Sequence, residues 1–224
     1  MRALSEEKTF IPTVTIRGSG RFMIPGSGEG RIAGSGKING DEITIHGSAY
    51  LPGGMNTRRI VTHGKADFNG TLNAESMESS GSTCVEGDVI VKEGIRCRGR
   101  LTVHGNVSAT SLDFAGSLRI QGTLKTESFE GKLGENTSRI ENGVTSERIR
   151  VETGNIGWYR SSGELATSNI NGGDIYLENV VCDNIAGKRV TLGPDCKVKG
   201  EVTYTESVEV HPTASLAHLP KRSS

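Results

Sequence analysis

The most constraining feature of this chain is a repeat of about 17 residues, once lengthened by one, that runs from Ile43 to Gly122. Five successive blocks begin at Ile43, Ile60, Met77, Ile95 and Leu112. The fifth positions, the first glycine column, are Gly47, Gly64, Gly81, Gly99 and Gly116, and the eleventh positions, the second glycine column, are Gly53, Gly70, Gly87, Gly105 and Gly122. Glycine is the residue that tolerates positive φ and tight bends, so each block is predicted to turn at the same two corners.

Apolar or small residues occupy further columns between the glycines and alternate there with polar residues. Position one holds the five block-opening residues, position nine holds Leu51, Phe68, Val85, Val103 and Ile120, and position thirteen holds Met55, Leu72, Val89, Val107 and Leu124. The pattern predicts three short strands per block, near positions one to three, seven to nine and thirteen to fifteen. One block cannot bury an apolar face alone, but stacked blocks build a continuous core. We therefore expect an all-β fold, a single-stranded triangular β-solenoid with about 17 residues per rung.

The remaining sequence is interpreted as an extension of this rod. A single β-helix domain is expected over residues 14–216, between a flexible N-terminal tail (1–13) and a C-terminal tail (217–224). In residues 14–42, GSG triplets recur at a regular interval with apolar residues between them, which predicts either narrower rungs or a small meander over the first full rung. In residues 131–173 the register loosens, which predicts one or two irregular rungs with a bulging loop.

This irregular segment contains an aromatic pair, Trp158 and Tyr159, and Trp158 is the single tryptophan of the chain. Two interpretations are open. Trp158 caps the core, or the pair protrudes as a contact for a partner, since aromatic residues often anchor interfaces.

Composition narrows the function classes. Lys and Arg total 26 and Asp and Glu total 26, so no net charge steers the surface towards nucleic acid. The N-terminal stretch places Glu6 and Glu7 where a signal peptide would have its apolar core, and we expect an intracellular protein without nucleic-acid partners. Membrane binding through this stretch has weak support. The four cysteines lack CxxC spacing and are expected to be free, buried thiols: Cys84, Cys97, Cys182 and Cys196.

Three stretches of the chain resemble the bactofilins, or polymer-forming cytoskeletal proteins. They read IAGSGKINGDEITIHGSAYLPGG, LDFAGSLRIQGTLKTESF and IAGKRVTLGPDCKVKGEVTYTESVEV. The resemblance implies a right-handed triangular β-helix that polymerises end to end into non-polar filaments without bound nucleotide. It further implies a scaffold for cell-shape, cell-wall or motility machinery, in the cytoplasm and often at the inner face of the membrane. Implied partners are copies of the chain itself, other bactofilin-like subunits, and cell-envelope or motility proteins. The chain departs from the family in its irregular 131–173 segment, in lacking Pro-rich flanks, and in lacking a clear membrane-targeting N-terminus.

Physical reasoning also predicts assembly. The end rungs of a solenoid expose backbone groups that template another chain unless a cap covers them, and neither end carries a predicted capping helix. The residues expected to line the last rungs and to form the polymer contact are Val202, Tyr204, Val208, Val210 and Leu216.

The alternative function is a solenoid enzyme, such as a hexapeptide-type acyltransferase or a carbonic anhydrase. Its motivation is His46 and His63, which share the fourth position of adjacent rungs and are predicted to stack about 4.8 Å apart. The following rungs place Ser80, Arg98 and Ala115 there and supply no third ligand, and His104 lies in a different column.

Rungs of those enzymes are built from hexapeptides, a period that this repeat does not keep. No loop here clearly supplies a histidine base, although His211 and His218 stay open as candidates. A surface adhesin is disfavoured. We expect no enzymatic activity and assign no catalytic, cofactor or metal residues.

Overall fold

The computed structural model describes residues 14–21, 38–52, 54–156, 159–160 and 162–223. In these ranges all regular secondary structure is β-strand. Of the glycines in the two columns, Gly53 alone lies outside these ranges. Seventeen strands form one parallel sheet and two form a small antiparallel ribbon. The strands are β1 (Val14–Arg21), β2 (Ile38–Pro52), β3 (Met55–Asn69), β4 (Leu72–Val85), β5 (Val89–Val103), β6 (Val107–Ile120), β7 (Leu124–Leu133), β8 (Ser138–Ile140), β9 (Val144–Thr153), β10 (Asn155–Ile156), β11 (Tyr159–Arg160), β12 (Leu165–Thr167), β13 (Asn169–Leu177), β14 (Val180–Cys182), β15 (Asn184–Leu192), β16 (Lys197–Val198), β17 (Val202–Val210), β18 (Ser215–Leu216) and β19 (Lys221–Arg222).

The strands of the large sheet pair in parallel from one rung to the next, and over the regular blocks the pairing follows the predicted repeat. Ile43 pairs with Ile60, Ile60 with Met77, and Met77 with Ile95, so each block of the sequence is one rung. About ten rungs stack in this way, which confirms the predicted β-solenoid.

The predicted apolar columns are the core. Positions one, nine and thirteen are buried in all five blocks, and position seven is buried as well. A stack of identical units therefore buries continuous apolar columns along the rod, although only 33% of the residues are hydrophobic.

The first glycine column turns the chain without interrupting its strands. All five of its members have positive φ, from 109° at Gly47 to 143° at Gly64. A Cβ on Gly64 would lie 2.2 Å from the carbonyl oxygen of Gly47, so the stacked glycines leave no space for a side chain. The prediction of three separate short strands per rung was wrong in this respect. Strands β2 to β6 continue through the first corner for 14 or 15 residues and end only near the second glycine column.

The N-terminal segment contributes a rung. Strand β1 pairs in parallel with β2, and Gly18 of the first GSG triplet lies opposite Gly47, in the first glycine column. The parallel register is that of a rung and not of a meander. Val14 and its partner Ile43 are 29 positions apart, so this rung is longer than the regular ones, whereas the sequence predicted a narrower one. The other two GSG triplets lie outside the described residues.

The 131–173 segment keeps the stack and varies only the length of its rungs. Leu124 pairs with Val144, and Val144 pairs with Ile170, so both rungs are longer than the regular ones, the second more so than the first. Ile170 then pairs with Ile185, which makes the following rung shorter than the regular ones. The rung between Val144 and Ile170 contains the antiparallel ribbon of β10 and β11. The sequence predicted one or two irregular rungs with a bulging loop, and two rungs of this segment exceed the regular length.

Candidate assembly interface

The apolar columns of the rod end at its last rung, residues 202–220. Leu192 and Val210 are register partners, yet Leu192 is 1% exposed and Val210 is 41% exposed. In the neighbouring column Val190 is buried and its partner Val208 is half-buried. On the next strand Val198 is buried and its partner Leu216 is half-buried. The end of the rod is thus a cross-section of its apolar core.

The end of the chain covers one side of this last rung. Lys221 and Arg222 form β19, which pairs with Thr203 and Tyr204 of β17. The amide of Ser223 donates a hydrogen bond of 2.7 Å to the Tyr204 carbonyl oxygen. The Lys221 ammonium also donates to Glu201 at 2.6 Å. Residues 217–223 therefore lie against the rod, whereas the sequence predicted a tail that leaves it.

The other two sides of the last rung remain open. Residues 207–210 of β17 pair with β15, and Ser215–Leu216 of β18 pairs with β16. No further strand follows them on the outer side within the described chain. We call residues 207–210 and 215–216 the C-terminal edge. An edge of this kind presents backbone N–H and C=O groups that can pair with another strand.

The structure separates the five residues predicted to form the polymer contact. Val202 is fully buried and belongs to the core below the last rung. Tyr204, Val208 and Leu216 are half-buried and pack against that core. Val210 is the most exposed of the five. Of the five, Val208, Val210 and Leu216 are the apolar residues of the C-terminal edge.

One member of the predicted partner-contact pair, Tyr159, lies in the antiparallel ribbon. Trp158 is outside the described residues. Tyr159 begins β11, whose backbone pairs with Ile156 of β10. The backbone at Tyr159 thus belongs to an insertion between β9 and β12.

A buried carboxylate holds the start of that insertion. Glu178 is 8% exposed and accepts hydrogen bonds from the Thr153 hydroxyl at 2.7 Å and the Thr153 amide at 3.2 Å. It also accepts one from the Tyr176 hydroxyl at 2.7 Å. This hydrogen bond, together with desolvation by burial, raises the pKa of the Tyr176 phenol. Glu178 therefore fixes the point at which the chain leaves the regular rung.

A shallow groove of about 410 Å³ follows one flank of the later rungs. Arg189 crosses it, donating to Asp174 at 2.7 Å and to Glu206 at 2.9 Å. The hydrogen bond from Arg189 holds the pKa of the Asp174 carboxyl below its usual value. Arg150 lies over the Tyr176 ring at 4.9 Å from its centre. The groove is thus lined by a ladder of ion pairs that spans consecutive rungs.

The histidines at the fourth position stack as predicted. The ring centres of His46 and His63 are 5.0 Å apart with an angle of 17° between the planes. Nδ1 of His63 lies 2.8 Å from the Ser80 hydroxyl, the residue at the same position of the next rung. The pair therefore continues as a hydrogen-bonded ladder along the rod.

Three of the cysteines are buried free thiols, as predicted: Cys97, Cys182 and Cys196. Burial raises the pKa of Cys97 to about 11, that of Cys182 to about 12 and that of Cys196 to about 11. These thiols stay protonated at neutral pH and pack as small apolar groups. Cys84 differs from them because it is only half-buried.

Cys84 belongs to a cluster that the sequence analysis missed. Its sulfur lies near Glu86, and Glu86 lies near His104, such that one donor atom from each residue falls within 4.8 Å of the others. Burial, Glu86 and Asp67 raise the pKa of the Cys84 thiol. We call Cys84, Glu86 and His104 the corner cluster. The sequence did carry a signal for it, because Glu86 and His104 both hold the tenth position of their blocks.

Comparison of the chain with protein-family models, curated proteins and solved structures finds no match. No helix in the described ranges is long and apolar enough to cross a membrane. Evidence on function therefore comes from the geometry of the rod and its ends.

Proposed function

We propose that this chain is a structural subunit that assembles end to end through its C-terminal edge. The proposal rests on the rise in side-chain exposure along one core column, from 1% at Leu192 to 41% at its register partner Val210. A rung from another molecule, stacked on this edge, would bury Val208, Val210 and Leu216. Their register partners Val190, Leu192 and Val198 are buried in this way by the last rung. The added rung would also pair the backbone groups of residues 207–210.

The partner proposed is a second copy of the chain. Successive rungs of the rod bury their apolar columns against one another in parallel register, even where the rungs differ in length. A copy of the chain offers such a rung, with matching strand positions and apolar columns. Fully burying one large aliphatic side chain contributes about 1.5–3 kcal/mol, so three half-exposed side chains give a modest contact. Assembly should accordingly depend on protein concentration.

The polymer that results serves as a nucleotide-independent scaffold. C-terminal edges that pair only with each other close a dimer. A filament therefore also needs a contact between the opposite ends of two rods, and like-to-like contacts at both ends give the non-polar filament that the resemblance to the bactofilins implies. In that setting the filament would support cell-shape, cell-wall or motility machinery inside the cell. The flanks of the rod, with their ion-pair ladder and the ribbon at Tyr159, stay available along such a filament for other proteins.

Sedimentation velocity over a concentration series tests the contact. The wild-type chain should form large species as concentration rises. Val210→Arg places a charge on the apolar edge and should form no species larger than a dimer. Ile90→Arg is the matched control, since Ile90 is 46% exposed on a middle rung. It should assemble like the wild type. Monomeric wild-type protein at every concentration, or normal assembly of a folded Val210→Arg, would contradict the proposal.

A further inference from the structure

The corner cluster brings three different metal-binding groups together from two adjacent rungs. The Cys84 sulfur lies 3.8 Å from Oε1 of Glu86, and Nδ1 of His104 lies 3.6 Å from Oε2 of the same carboxylate. A zinc ion about 2.0–2.3 Å from each donor holds neighbouring donors roughly 3.5 Å apart. The two separations that involve Glu86 are close to this spacing, and one donor atom from each of the three residues lies within 4.8 Å of the others.

The backbone at the cluster is fixed by the stack. The Glu86 amide donates to the Phe68 carbonyl oxygen at 2.9 Å, and the His104 amide donates to the Val85 carbonyl oxygen at 2.9 Å. Phe68 and Val85 are both buried in the core. The side chains themselves retain freedom, since those of Glu86 and His104 are 52% and 37% exposed. Small rotations can therefore close the three donors around an ion while the backbone stays in place.

The chemistry of the donors selects the ion. A thiolate and an imidazole favour zinc and similar borderline-soft cations, whereas magnesium and calcium prefer oxygen donors alone. Three protein donors leave a fourth tetrahedral position for water. Asp67, the register partner of Cys84 on the preceding rung, adds a further carboxylate nearby. Oδ2 of Asp67 also forms an ion pair with the Lys65 ammonium at 3.1 Å.

From this arrangement we infer that Cys84, Glu86 and His104 form a site for one Zn²⁺ or similar divalent ion. The ion would tie the rung of residues 72–88 to the rung of residues 89–106 at a corner of the rod. Because the complete site exists only when the two rungs are stacked in register, the metal would stabilise the folded chain.

Cobalt(II) titration of the untagged, reduced protein provides the direct test. We expect one Co²⁺ per chain, with the charge-transfer absorption of a cobalt–thiolate bond and the visible bands of a tetrahedral site. Cys84→Ser should abolish the charge-transfer band, and His104→Gln should weaken binding. His63→Gln is the matched control, because it removes an exposed histidine that lies outside the corner cluster, and it should leave both signals unchanged. The absence of a thiolate band in the wild type, or its persistence in Cys84→Ser, would overturn the inference.

Zn²⁺ itself supplies a second readout. Added Zn²⁺ should raise the Tm of the wild type and slow alkylation of Cys84, while the Tm of Cys84→Ser stays unchanged. The buried thiols of Cys97, Cys182 and Cys196 should not react in either condition while the chain is folded. Alkylation of Cys84 at the same rate with and without Zn²⁺ would argue against the site even if the metal binds elsewhere.

Discussion

Leu192 and Val210 occupy the same column in adjacent rungs. Leu192 is covered by Val210, whereas no strand of the described chain covers Val210. Their exposures, 1% and 41%, measure what one more rung would bury. The same change occurs from Val198 to Leu216. The burial of apolar columns between rungs, which stabilises the rod, would therefore also favour the addition of another copy of the chain.

Leu216→Asp should keep the fold and lose assembly. Leu216 is half-buried at the open end, so its replacement removes little core packing, whereas a carboxylate at an apolar contact would have to be desolvated. Circular dichroism and light scattering on the same sample separate the two effects. Ala186→Asp, an exposed position on the preceding rung, serves as the control and should assemble normally. If Leu216→Asp and Val208→Arg both unfold the chain, these side chains are core rather than interface.

Gly81→Ala should destabilise the rod strongly. Gly81 has a φ of +135°, and an added Cβ would lie 2.2 Å from the Gly64 carbonyl oxygen. A strained residue of this kind costs about 1–3 kcal/mol before the clash with the neighbouring rung is counted. Urea unfolding should show a loss of about 3 kcal/mol or more. Ser82→Ala beside it should change stability by less than about 0.5 kcal/mol, and an equally small effect of Gly81→Ala would contradict the tight stacking of the first glycine column.

Glu178→Gln should loosen the insertion between β9 and β12. The carboxylate accepts hydrogen bonds from the Thr153 amide and hydroxyl and from the Tyr176 hydroxyl, and an amide in its place turns one acceptor into a donor. We expect a loss of about 1–3 kcal/mol and faster proteolysis near Gly154. The pKa of Tyr176, followed by absorbance, should fall towards its ordinary value. Glu164→Gln in the same insertion is the control, and a Tyr176 titration that does not move in Glu178→Gln would show that the hydrogen bond does not form.

Asp174 should titrate below the usual range of an aspartate. Its pKa is lowered chiefly by the hydrogen bond from Arg189, so Arg189→Gln should raise it. Because the folded pKa lies below the unfolded one, the ion pair stabilises the fold above the unfolded pKa. That contribution is lost as the pH falls through the folded pKa. NMR titration of the carboxyl carbon measures the shift, with Arg139→Gln as a control that should leave it unchanged. An Asp174 pKa that is the same in the wild type and in Arg189→Gln would rule out the pairing.

The rung could be predicted from the sequence because its determinants are local and repeat. The two glycine columns mark the corners, and the apolar columns at positions one, nine and thirteen mark the interior. The lengths of the rungs after Leu124 could not be predicted, because insertions in two successive rungs leave the paired columns intact and erase the period. The handedness of the helix stays a prediction from the resemblance alone.

The candidate sites were harder to predict than the rod. Val202 and Val210 have the same residue type and the same strand, and only the position of the last rung makes one of them core and the other edge. The corner cluster was missed because its residues fall in two columns, with Cys84 at position eight and Glu86 and His104 at position ten. His46 and His63, in contrast, are the same residue type at the same position of adjacent blocks, so their stacking could be predicted.

Electron microscopy of the purified wild-type chain tests the proposed end-to-end assembly most directly. Ten or so rungs spaced about 4.8 Å apart give a rod of roughly 50 Å per subunit. The account predicts unbranched filaments that form without nucleotide and whose subunit repeat along the axis is close to that length. Monodisperse single rods over a wide range of protein and salt concentrations would contradict it.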